Sequence, residues 1–152
     1  MFLYDVCAAL NKAKIPYAVV GGYAVALHGA TRGTIDVDIA IKWSLQNLTK
    51  VEVVLKEMGL VSRIPVNADN VFQFRDEYIQ NRNLIAWNFY NPSNLAEQVD
   101  IIINYDLVGS HTDSMKTPSG IIKVLSRRDL IKMKKASGRP QDLEDVKALE
   151  AL

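Results

Sequence analysis

Apolar positions recur at helical spacing over Phe2–Ala13, where Phe2, Leu3, Val6, Cys7 and Leu10 form one stripe. Asp5, Asn11 and Lys12 lie off it. Pro16 separates that helix from Tyr17–Val20, a short apolar run with β-branched residues that predicts a buried strand. The run ends on Gly21-Gly22, and Tyr23–His28 reads as a short helix stopped by Gly29. After the polar turn Thr31-Arg32-Gly33-Thr34, residues Ile35–Ile41 alternate. Ile35, Val37, Ile39 and Ile41 share one strand face, so Asp36, Asp38 and Ala40 share the other.

Ser44 is an N-cap for a helix over Leu45–Met58, with Leu48, Val51, Leu55 and Met58 on its core face and Gly59 as its stop. Residues 61–104 read as strands. Val71–Arg75 alternates, Asp76–Asn81 is a polar turn, and Arg82–Tyr90 is a second extended run. Asn91-Pro92-Ser93-Asn94 is a turn, and Gln98–Asn104 is a β-branched strand interrupted by Asp100. Tyr105–Gly120 reads as a loop and Ile121–Leu125 as a short strand. Ser126–Asp129 resembles a capping box that opens a helix to about Lys135. Ser137-Gly138-Arg139-Pro140 breaks that helix. A last one spans about Gln141–Leu152, with Leu143, Val146, Ala148 and Leu149 as its apolar contacts.

Composition narrows the class without naming it. A chain of 152 residues with 49% hydrophobic and 23% charged positions suits one globular domain. A formal net charge of +1 gives no broad electrostatic footprint for nucleic acid. Cys7 is the sole cysteine, so no intramolecular disulfide forms, which fits a reducing cytoplasm. Neither a signal peptide nor a membrane-spanning apolar run is expected. His28 and His111 lack partners at metal-ligand spacing, which excludes a zinc site and a Ser-His-Asp triad. Cys7 falls within its helix's apolar stripe and reads as a small buried hydrophobe, and Trp43 reads as packing at a strand end.

The chemistry concentrates between Tyr17 and Ile41. Two carboxylates on one strand face repel each other and are costly to desolvate, so Asp36 and Asp38 have little structural use. A hard divalent cation with oxygen ligands would turn that repulsion into attraction. Gly21 and Gly22, without Cβ atoms, let backbone N–H groups approach a phosphate at a strand-to-helix junction. Asp100 is a further lone acid in an apolar strand. It joins Asp36 and Asp38 if its strand pairs beside theirs, and otherwise meets an arginine.

Gly21-Gly22 followed by Asp36-Val37-Asp38 resembles the signature of the DNA polymerase beta-like nucleotidyltransferase superfamily. The surrounding GGYAVALHGATRGTIDVDI resembles its small prokaryotic members, AbiEii-like toxins and minimal nucleotidyltransferases among them. The tail LIKMKKASGRPQDLEDVKAL resembles a C-terminal segment of the same small proteins. The resemblance implies an α+β (α/β) fold over residues 1–152: a nucleotidyltransferase-like mixed β-sheet flanked by helices, with C-terminal helices. It implies catalytic and metal-binding roles for Asp36, Asp38 and Asp100, the last as the family's third acid. Gly21 and Gly22 would cradle a triphosphate, and Arg32 or Lys134 would add positive charge to the leaving group. Asp142 and Asp145 fill acidic positions of the tail and read as charges stabilising a helix N-terminus.

The implied reaction moves a nucleoside monophosphate from an NTP to an acceptor hydroxyl, with Mg²⁺ or Mn²⁺ as cofactor and pyrophosphate leaving. The acceptor stays open among tRNA, protein and small molecules, and a toxin–antitoxin partner is one implied setting. The competing class is a non-catalytic nucleotide binder or antitoxin-like protein that keeps the fold.

Overall fold

The computed structural model describes all residues, Met1–Leu152. A seven-stranded mixed sheet runs in the order β3-β4-β5-β2-β1-β7-β6. Helix α1 (Phe2–Lys12) buries Leu3, Val6, Cys7 and Leu10 and leads into β1 (Tyr17–Val20), buried at every position. Helix α2 (Gly21–Leu27) starts immediately after β1, so both glycines belong to its first turn. Strand β2 (Val37–Ile41) returns antiparallel to β1, pairing Val20 with Asp38.

Helix α3 (Leu45–Glu57) is capped as its sequence dictates. Ser44 Oγ accepts from the Asn47 N–H, and Gly59 leaves the helix at φ +86°. Strand β3 (Val61–Ser62) and the short helices α4 (Ala68–Gln73) and α5 (Arg75–Asn81) follow. The hairpin β4 (Ala86–Asn91) and β5 (Asn94–Ile102) comes next, then β6 (Thr112–Thr117) and β7 (Gly120–Leu125). The chain closes with α6 (Arg127–Ser137) and α7 (Pro140–Glu150). One continuous core joins α1, α3 and the buried sheet face, with Trp87 and Phe89 fully enclosed.

Five sequence expectations are corrected. Val71–Arg75 is not a strand, and Asp76–Asn81 is not a turn; both segments lie in α4 and α5. Asn67 and Asn70 cap each other reciprocally, and only Val71 of the alternating run is buried while Phe72 and Phe74 are exposed. Tyr105–Gly120 is not all loop, because it contains β6. No residue of that edge strand is buried, so it carries no apolar alternation to betray it. Ile35, at 64% exposure, and Asp36 both lie outside β2, because ladder pairing begins at Val37. Leu143 points to solvent, leaving Val146 and Leu149 as the buried contacts of α7.

What matters for function is the middle of the sheet. Strand β5 lies parallel to β2, and Asp100 stands in register with Asp38. Asn88 on β4 stands in register with Asp100. One row of side chains therefore crosses the sheet from Val20 through Asp38 and Asp100 to Asn88.

Candidate active site

That row opens into a cavity of about 820 Å³ between the sheet face and the α6–α7 junction. Asp36, Asp38 and Asp100 line it together with Gly21, Gly22, Arg32 and Lys134, so the residues expected to serve metal and nucleotide all reach one place. The lining also includes Thr34, Arg139, Gln141 and Asp142.

The carboxylates on the sheet wall are short of positive partners. None of Asp36, Asp38 and Asp100 forms an ion pair. Burial pushes Asp38 up to about 7, and the charges of Asp100 and Asp36 push the same way, with Lys134 opposing them weakly. Asp36 is also raised, by burial first and by Asp100 second, while Arg63 pulls it down. Asp100 accepts a hydrogen bond at 2.8 Å from Asn88 Nδ2.

Both glycines make room for this chain's own side chains. Gly21 sits at φ +69°, and a Cβ there would land on Asp38 Oδ2. A Cβ on Gly22 would come within 2.7 Å of the Thr34 Cβ. The Gly-Gly turn is thus what lets Asp38 and Thr34 close against the strand end. Sequence reasoning explained the pair by phosphate approach alone and missed this packing.

The helical wall is the electrostatic opposite. Lys134, 7% exposed, donates to Asp145 Oδ2 at 2.8 Å and lies 3.7 Å from Asp142 Oδ1. Arg32 Nε donates to Asp145 Oδ1 at 2.9 Å, and Gln141 Nε2 to the same oxygen at 3.0 Å. Arg139 grips Asp142 through Nε at 2.8 Å and Nη2 at 3.3 Å, with its backbone N–H on the same carboxylate. Burial would raise both acids, but these donors outweigh it and hold Asp142 and Asp145 below the usual carboxylate range. The two acids therefore do more than complement a helix terminus: they anchor Lys134, Arg32 and Arg139 around the cavity. Arg139 was not singled out by the sequence, although its place three residues before Asp142, at a helix start, is a readable signal.

Lys134 and Arg32 keep donors to spare. An ammonium has three N–H bonds and a guanidinium five, and Asp145 takes one from each. The donor set of the sheet wall suits a hard dication in its chemistry: three oxygen-bearing anions, two with raised proton affinity and none with a cation. No group of three or more His, Cys, Asp or Glu side chains closes around a single point as a finished metal site would.

The mixed seven-stranded sheet flanked by helices is the nucleotidyltransferase fold, as solved structures show. The lincosamide antibiotic adenylyltransferase LnuA, lincomycin-bound, superposes at a TM-score of 0.63 and 15% identity, over 98% of this chain and 94% of that one. ANT(2'')-Ia in complex with adenylyl-2''-tobramycin gives 0.59 at 12% identity, over 95% of this chain and 83% of that one. An antigenic nucleotidyltransferase-like protein from Paracoccidioides brasiliensis gives 0.61 at 18% identity, over 97% of this chain and 72% of that one. No curated protein matches the sequence. Residues 2–82, just over half of the chain, match the pattern of the aminoglycoside-2''-adenylyltransferase family, and the chain belongs to that family. The narrower AbiEii-like resemblance finds no specific counterpart among these proteins. No helix is long and apolar enough to cross a membrane.

Proposed function

We propose that residues 1–152 work as one metal-dependent nucleotidyltransferase domain that moves a nucleoside monophosphate from an NTP to a hydroxyl of a small molecule. One observation carries the reading: Asp36, Asp38 and Asp100 share a cavity wall beside Gly21-Gly22 with no cation of the chain paired to them. Three mutually repelling, half-buried carboxylates destabilise a fold unless they serve an incoming charge. The small-molecule acceptor is supported by two structural relatives, one bound to lincomycin and one to an adenylylated tobramycin.

In this reading Asp36, Asp38 and Asp100 hold Mg²⁺ or Mn²⁺, which when bound supplies charge neutralisation and polarisation at the phosphates. Gly21 and Gly22 seat the triphosphate. Lys134 and Arg32 direct their spare N–H groups at the charge that develops on the departing pyrophosphate. Asp100, held on its Oδ1 by Asn88, faces the acceptor and receives its hydroxyl proton. The acceptor oxygen then bonds the α-phosphorus, the bond from that phosphorus to the bridging oxygen breaks, and pyrophosphate departs.

The test is incubation with each α-labelled NTP, Mg²⁺ or Mn²⁺, and separate pools of small hydroxylated compounds, tRNA and cell protein. Label is expected in the small-molecule pool with the wild type and in no pool with Asp38→Asn. Intact nucleotide binding without transfer to any pool, with or without host lysate, would favour the non-catalytic binder.

A further inference from the structure

The cavity changes character from one end to the other. Arg32, Lys134, Arg139 and Asp142 line it from the helical side and from the loop before β2. Strands β4 and β5 contribute something different. Past Asp100, the lining from this part of the sheet is Ile102 on β5, Ala86 on β4 and Ile85 just before β4. All three are apolar and none is buried. Ile85 is 38% exposed, a large apolar side chain open to water inside an otherwise polar cavity.

Strand alternation brings these residues together. Asp100 and Ile102 stand two apart on β5 and share a face, while Val99, Ile101 and Ile103 are buried on the other. Ala86 stands directly opposite Ile102 in the antiparallel ladder. The backbone pins Ile85: its carbonyl accepts from the Ile103 N–H at 2.8 Å, and the Ile103 carbonyl accepts from Arg75 Nε at 2.8 Å. A small side chain facing a large one leaves an open step, one row along from Asp100. Opposed residues of neighbouring strands lie about 4.5–5.5 Å apart, which is the scale of a six-membered ring.

The direction of the reaction says what covers the step. In phosphoryl and nucleotidyl transfer the entering and leaving oxygens stand in line on opposite sides of the phosphorus. Gly21, Gly22, Arg32 and Lys134 hold the leaving end, towards β1 and the helices. The entering hydroxyl therefore comes from the β5–β4 side, past Asp100, and the molecule that carries it lies over Ile102, Ala86 and Ile85. We infer that these three residues are the acceptor shelf, and that they seat the apolar C–H face of a saturated ring bearing the reacting hydroxyl. Covering them removes apolar surface from water, and a rigid ring does so without freezing a flexible chain. This deepens the nucleotidyltransferase reading above and rests on it: Asp100 receives the proton, and the shelf sets which hydroxyl is presented to it.

The experiment starts from the smallest molecules with this chemistry. Cyclohexanol, a hydroxyl on a saturated ring, is compared with 3-hexanol, its open-chain counterpart. Each is titrated into the full chain with Mg²⁺ and a non-transferable NTP analogue, followed by the methyl signals of Ile85 and Ile102. Label transfer to tobramycin and lincomycin is measured separately. Both methyl signals are expected to move with cyclohexanol, which should bind about fivefold more tightly than 3-hexanol, the scale of ordering one flexible chain. Ala86→Leu fills the step and should weaken ring binding by about tenfold, the low end of an overpacking cost, with NTP affinity unchanged. Ile85→Thr, at a partly exposed position that folding tolerates, should weaken it about fourfold, the scale of one buried methylene. Unmoved methyl signals, equal affinity for the two alcohols, or ring binding unchanged in both variants overturns the inference. So does an NTP analogue that alone moves both methyls and excludes cyclohexanol, because the shelf then seats the nucleobase. A merely structural Ala86 would lower folding stability and NTP affinity together and leave the preference for the ring intact. Ring binding on the shelf without label transfer leaves the shelf standing and removes only the transferase reading. Transfer whose KM for the acceptor ignores both variants keeps that reading and removes the shelf.

Discussion

Four aspartates line the cavity and a fifth, Asp145, stands behind its helical wall; the two walls treat their acids in opposite ways. On the helical wall, Asp142 and Asp145 are almost fully buried at 3% and 2% exposure, yet both are held ionised by Arg139, Lys134, Arg32 and Gln141. On the sheet wall, Asp36, Asp38 and Asp100 are less buried, yet Asp38 and Asp36 resist ionisation. Burial therefore does not separate the two groups; partners do. A carboxylate with a cation is finished architecture, and one left beside two others is held ready for something that arrives. The same contrast explains the cost of the Gly-Gly turn. Its positive-φ glycine exists to admit Asp38, so the backbone adopts a special conformation to keep a repelling charge in place.

The largest expected effect comes from removing the unpartnered acids. Asp38→Asn or Asp100→Asn should cut nucleotidyl transfer by about 10³-fold or more, the scale seen when a group acting on developing charge is lost. NTP affinity should change by much less, because most of the interaction is realised in the transition state. Single-turnover kinetics alongside calorimetric NTP titration checks this. Equal losses in affinity and rate would place these acids in ground-state binding alone.

The same kind of substitution on the other wall should act on folding. Asp145→Asn leaves Lys134 and Arg32 with no full counter-charge at their shortest contacts. Losing one partner of a buried ion pair costs about 3–5 kcal/mol. Urea unfolding should show that loss for Asp145→Asn, and a smaller one for the double variant Asp145→Asn/Lys134→Met, in which the stranded ammonium is gone. A single variant as stable as the wild type would mean that water already screens the network.

Most of this contrast could be read from the sequence on one side only. Asp36 and Asp38 stand out because strand alternation predicts one face for both, although Asp36 falls just before β2, and Asp100 because it is the one acid among Val99, Ile101, Ile102 and Ile103. Local spacing carried those residues, and the order β5-β2-β1 then joined them. Asp145 meets Arg32 across 113 positions of sequence, and no periodicity announces a contact of that range. Its helical spacing instead suggested a terminal charge. The misread middle of the chain failed for a related reason. Phe72 and Phe74 alternate as a strand would, but Trp43 stacks on Phe72 at 6.3 Å and Arg75 covers Trp43 at 4.4 Å, so tertiary contacts and the Asn67–Asn70 cap decided for helix. The step formed by Ile85, Ala86 and Ile102 carried no signal, since these residues meet only once β4 and β5 lie side by side.

The smallest expected effect is also the one that separates the walls most cleanly, because its pH dependence runs in opposite directions on the two. In metal-free protein Asp38 is raised from 3.8 to about 7, so the folded state keeps a proton there that the unfolded chain has already released. That contribution to stability is fully present below about pH 4, the usual carboxylate value, and is lost as pH rises through about 7. Asp142 and Asp145 are lowered, so their contribution is present above about pH 4 and is lost as pH falls below that through their depressed folded values. Asp38→Asn has no proton to lose. Measured in EDTA, its melting temperature relative to the wild type should therefore climb between pH 5 and pH 9. The gain should reach about 5 °C, taking roughly 2–4 °C per kcal/mol for a chain of this size and about 2 kcal/mol relieved. Adding Mg²⁺ at pH 8 should shrink the gain, because a bound dication stabilises only the wild-type carboxylate. Asp145→Asn should show the opposite slope, losing most at neutral pH and approaching the wild type in acid. If both variants instead follow the wild-type profile at a constant offset, the two walls do not differ in protonation, and the sheet-wall acids are not held in the unpartnered state on which the proposed chemistry depends.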